Sequence, residues 1–104
     1  MTAELALKPA ELATVRAVLA AHLPADVRVA AFGSRVRGKP KPWSDLDLEL
    51  AGSGPISLPV LAELAEAFDE CPLPWKVDLV DRATVTPEFG AIIDAEKVEI
   101  DLRA

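Results

Sequence analysis

The sequence predicts a small α+β domain, one mixed β-sheet with helices packed on it. Segments with helical and with strand periodicity are interleaved along the chain, the pattern of elements layered around one core. At 104 residues the chain suits a single domain, residues 1–104. Apolar residues make up 51% and charged residues 27%, the balance of a globular fold and not of a disordered one. No repeat, low-complexity tract or linker interrupts it.

The elements follow in order. Pro9 suits the first turn of a helix, and Leu12, Val15, Leu19 and Leu23 recur at spacings of three and four, so 9–23 reads as an amphipathic helix closed by Pro24. Val27 to Phe32 is an apolar strand that breaks at Gly33-Ser34, with a helical turn over 34–37. Lys39-Pro40-Lys41-Pro42 excludes regular structure, since each proline lacks a donor and fixes its own backbone angle. Residues 45–51 form a second strand. A turn at 51–55 leads to a helix over 58–69 with Leu61, Leu64, Ala65 and Phe68 on one side. Trp75 to Val80 alternates as a third strand. Thr86-Pro87 caps a helix carrying Phe89, Ile92 and Ile93, and Lys97 to Leu102 is a last strand with one wet face.

Composition excludes several function classes. No apolar run approaches the roughly 18 residues that span a bilayer, and the N-terminus lacks the pattern of a signal peptide. A lone cysteine, Cys71, fits a reducing cytoplasm and allows no internal disulfide. The net charge of −6 argues against direct nucleic-acid binding. Four of the eleven basic residues nevertheless lie between Arg35 and Lys41, a patch sized for a phosphate ligand, while the acidic remainder suits a basic protein partner.

The chemistry concentrates between Phe32 and Leu48. Side chains two apart on a strand share a face, so Asp45 and Asp47 point the same way while Leu46 and Leu48 point into the core. Such a pair can hold a hard cation, Mg²⁺ above all; a plain solvent-facing strand would look the same. Gly33-Ser34, directly after a strand, offers N–H groups at the start of a helical turn, where phosphate is attracted, although Gly-Ser is also an ordinary tight turn. Asp78 is a third acid, in mid-strand between Val77 and Leu79. Were the three to cluster, each pair at about 5 Å and an effective dielectric of about 20 would repel by on the order of 3 kcal/mol. Such a trio calls for a cation.

Gly33-Ser34, ten intervening residues, then Asp45-Leu46-Asp47 resembles the G-S-x10-D-x-D signature of the DNA polymerase β-like nucleotidyltransferase superfamily. G-S-R-V-R-G and S-D-L-D-L resemble its minimal nucleotidyltransferase branch, the antitoxin half of HEPN–MNT toxin–antitoxin modules. The resemblance is firmest from Phe32 to Leu48 and extends to Val77–Asp81. It implies the polymerase β-like fold, with Asp45, Asp47 and Asp78 as catalytic ligands of Mg²⁺, and Gly33 and Ser34 as holders of the nucleotide phosphates. It further implies transfer of AMP from ATP to a tyrosine of a partner HEPN RNase toxin, in a hetero-oligomer. The more basic, proline-rich Lys39–Trp43 stretch departs from the family's usual loop. Metals held by the three acids would stabilise both ends of an in-line displacement, and Asp78 would help deprotonate the acceptor hydroxyl. Arg35, and after it Arg37 and Lys39, would neutralise the triphosphate. The chain contains no tyrosine, so a tyrosyl acceptor lies in trans.

Other residues read as structural. Asp81 falls on the opposite strand face from Asp78, His22 suits a helix C-terminus, and Cys71 has no activating neighbour in sequence. Trp43 is expected to pack its loop against the body and Trp75 to anchor the third strand. Two further functions remain open: an antitoxin that masks its toxin by surface contact alone, and a transferase acting on a small molecule or an RNA end.

Overall fold

The structure, a computed structural model, describes residues 5–38 and 41–102. Helix α1 (Pro9–His22) precedes β1 (Arg28–Phe32) and β2 (Leu46–Ala51); α2 (Leu58–Glu70) leads to β3 (Val77–Asp81), a 3-10 turn (Arg82–Thr84), α3 (Pro87–Glu96) and β4 (Val98–Ile100). The strands form one mixed sheet in the order β3-β2-β1-β4. β1 is antiparallel to both neighbours, while β2 and β3 run parallel. Parallel neighbours need a crossover, and α2 supplies it.

The helix starts are chemically marked. Each helix has proline in its first turn; Ser57 caps α2 by accepting from the Val60 N–H, and Thr86 caps α3 by accepting from that of Phe89. The core lies on one face of the sheet. Val29 and Ala31 of β1 and Leu46, Leu48 and Leu50 of β2 meet Val15 and Leu19 of α1 and Leu64 and Phe68 of α2. Burying each of these larger side chains contributes roughly 1.5–3 kcal/mol. Ala65, expected on the same side of α2 as Leu64, is exposed instead.

The strand alternation that sends the leucines inward turns Asp47 and Glu49 to the other face, beneath α3. There the Phe32 ring meets Phe89 edge-on, with centroids 5.8 Å apart. Glu49 is only 2% exposed, and Arg82 and Lys97 bind its two oxygens at 2.8 and 3.3 Å. Both cations also reach Asp94, whose carboxyl their hydrogen bonds hold well below the usual range. This cluster ties the 3-10 turn and the end of α3 to β2. β3 starts later than its alternation predicts: Trp75 sits buried in the turn before it, under the Arg35 guanidinium. Among the described residues, no helix is long and apolar enough to cross a membrane.

Candidate active site

The register brings two of the predicted acids side by side, since Asp47 of β2 pairs directly with Asp78 of β3. Cross-strand neighbours share a face. Asp45 stands two residues before Asp47, just ahead of the strand. Burial pushes the Asp47 carboxyl up to about 6, with repulsion from Asp78 and then Asp45 adding to it and the Arg37 guanidinium opposing. Asp78 and Asp45 therefore lie near enough to repel the charge on Asp47. Among the described residues, however, no three His, Cys, Asp or Glu side chains converge tightly enough to hold a metal ion by themselves. The acids gather on one patch but form no ready-made cage.

Gly33 ends β1 at the edge of this patch, with a φ of 83°, a backbone conformation that favours glycine. A Cβ there would collide with Asp47 Oδ2. The glycine is thus required twice, for the turn and for the close approach of the carboxylate. The N–H groups of Val36 and Arg37 donate back to the Gly33 carbonyl at 3.1 and 3.2 Å, which closes the predicted helical turn around Ser34.

The structure separates the two arginines expected at the phosphates. Arg35, expected to lead in phosphate binding, is 5% exposed and donates to the carbonyls of Ala6, Pro42 and Ser44 while its guanidinium lies 4.6 Å above the Trp75 ring. It clamps the β1–β2 loop. Arg37 faces the acids instead, exposed and 3.5 Å from Glu96. Lys39 and Pro40 lie outside the described residues. Trp43 does not pack as expected; it is 68% exposed, with the Lys41 ammonium 5.7 Å from its ring centre.

Glu96, the last residue of α3, belongs to the site although sequence reading did not select it. Its Oε2 accepts from the Gly33 N–H and its Oε1 pairs with Arg37. Nothing local marks it, because the contact joins positions 63 residues apart. Together Phe32, Gly33, Asp47, Asp78, Phe89 and Ile92 line an open cleft of about 480 Å³ that also takes in Arg37 and Glu96. One wall is acidic and one apolar. Asp81, expected at a strand end to meet water, is instead buried and accepts from the Ile56 and Ala83 N–H groups. Burial pushes the Cys71 thiol up, away from the reactive thiolate.

Known proteins resemble this chain in sequence and in fold. The nucleotidyltransferase domain family matches residues 12–102. A probable protein adenylyltransferase, MntA of Haemophilus influenzae, is 47% identical over 91 residues, covering 88% of this chain and 79% of the relative. Among solved structures, a toxin–antitoxin complex with AMP-PNP superposes with a TM-score of 0.71 at 20% identity, over 86% of this chain and 72% of that one. The MNT antitoxin complex with a tri-AMPylated HEPN toxin of Shewanella oneidensis gives 0.65 at 18% identity, over 86% and 68%. At such identities the structures speak for the fold. The sequence matches go further, and the chain belongs to the nucleotidyltransferase domain family, as a homologue of the adenylyltransferase MntA.

Proposed function

We propose that this protein is a Mg²⁺-dependent protein adenylyltransferase that moves AMP from ATP to a hydroxyl of a HEPN-family RNase toxin in the cytoplasm and so serves as its antitoxin. The pairing of Asp47 with Asp78 beside the Gly33 turn carries this reading. The donor set fits a hard divalent ion: carboxylate oxygens in a patch with excess negative charge. Asp45, Asp47 and Asp78 would hold it, with phosphate oxygens completing a shell the protein leaves open, as Mg²⁺ sites often do. When bound, the ion supplies charge stabilisation to the attacking and departing oxygens of an in-line displacement.

The chain's own residues supply the rest. Arg37 neutralises the polyphosphate in the role first assigned to Arg35, and the backbone of the Gly33-Ser34 turn positions it. Asp78 accepts the acceptor's proton. Phe89 and Ile92 give the cleft an apolar wall opposite the acids. No tyrosine exists in this chain to compete with the toxin's.

The test is transfer of α-labelled ATP to the toxin by the wild type and by an Asp45→Asn/Asp47→Asn variant. Label should reach the toxin only with the wild type and Mg²⁺. If no label transfers and the double variant still protects cells, the protein works by masking its toxin through its acidic surface.

A further inference from the structure

Glu96 stands where its chemistry is least favoured. It is the final residue of α3, and a negative charge at a helix C-terminus is opposed by the helix dipole. It also faces the acidic patch, adding to the repulsion on Asp47. Two contacts hold it there nonetheless: the Gly33 N–H donates to one oxygen and Arg37 pairs with the other. Those two donors, a backbone N–H at the start of a turn and a guanidinium, are the ones a nucleotide phosphate would use. Its side chain is only 20% exposed, so carboxylate and phosphate would meet at one place.

We propose that Glu96 is the site's resident anion, which occupies the phosphate position at Gly33 and Arg37 and must be displaced by the incoming nucleotide. It thereby sets nucleotide affinity. Free ATP, with its full negative charge, meets both this carboxylate and the aspartates; the Mg²⁺ complex, carrying less, is favoured. Glu96 is thus a specificity-determining residue for the charge state of the substrate. The inference rests on the reading of Gly33 and Arg37 as phosphate holders.

The experiment titrates Mg²⁺·AMP-PNP into the full chain by calorimetry, using the wild type, Glu96→Gln and Glu96→Ala. Hydrogen bonds involving a charged group are worth enough that both variants should bind at least about tenfold more tightly, with KM for ATP falling in parallel and kcat/KM rising. Binding of AMP-PNP without Mg²⁺ should gain more than that. The Gly33 amide resonance gives an independent readout: downfield in the free wild type, it should move upfield in Glu96→Gln. In the wild type it reports the contact even if both variants fail to fold. A free wild-type Gly33 amide without that downfield position, equal or weaker binding by the variants, or a fall in kcat with KM unmoved would overturn the inference. Absence of any Mg²⁺·AMP-PNP binding by the wild type would overturn the proposed function itself, and this inference with it.

Discussion

Replacing Asp47 with asparagine should stabilise the metal-free protein while destroying its activity. The carboxyl is pushed from 3.8 to about 6 by burial and by Asp78 and Asp45. A raised carboxylate binds its proton more tightly folded than unfolded, so its contribution is favourable below about pH 4 and is lost as pH rises through 6. A gap of about two units corresponds to about 3 kcal/mol at most, and partial exposure and screening reduce this to about 1–2 kcal/mol. Asparagine keeps the shape and removes the charge. For a domain of this size, 1 kcal/mol moves Tm by about 4–8 °C. Thermal melts in EDTA at pH 7.5 should show at least that gain for Asp47→Asn, shrinking toward zero at pH 4, where the wild-type carboxyl is itself protonated. An equal gain at both pH values, or none at neutral pH, would refute the claim that burial and the neighbouring acids raise the Asp47 carboxyl.

Gly33→Ala should cost about 1–2 kcal/mol from its backbone angle alone, with more from the collision with Asp47, read by urea denaturation together with loss of transfer. Arg35→Lys should lower stability by about 1–3 kcal/mol, because lysine cannot serve three carbonyls at once and leaves buried acceptors unpaired. Arg37→Ala should instead leave the melting curve close to wild type and raise the KM for ATP. Glu49→Ala, which strips Arg82 and Lys97 of their buried partner, should cost about 2–3 kcal/mol in urea melts, below the range for a fully buried pair because both cations keep some solvent contact.

What could be read from the sequence was whatever depended on short-range order. Strand periodicity placed Leu46 and Leu48 inward and so turned Asp47 outward; an acid flanked by Val77 and Leu79 marked Asp78 as a third carboxylate. That the two would be register partners required knowing that β3 lies parallel beside β2, which periodicity does not specify. The choice between Arg35 and Arg37 turned on the carbonyls of Ala6, Pro42 and Ser44 and on the ring of Trp75, groups brought together only by folding. Trp43 was misjudged for a related reason: a large aromatic was expected to find cover, but its loop is anchored by Arg35 instead. Glu96 was missed because its meaning comes from where α3 ends relative to β1.

The proposed mechanism requires Asp47 and Asp78, from neighbouring strands, to share a cation with the nucleotide's phosphates beside Gly33. Crystals grown with Mn²⁺ and AMP-PNP and measured at the manganese absorption edge test it most directly. The prediction is an anomalous peak within about 2.3 Å of a carboxylate oxygen from each of the two acids and of a phosphate oxygen. A peak held by the nucleotide alone, with both carboxylates turned away, would contradict it.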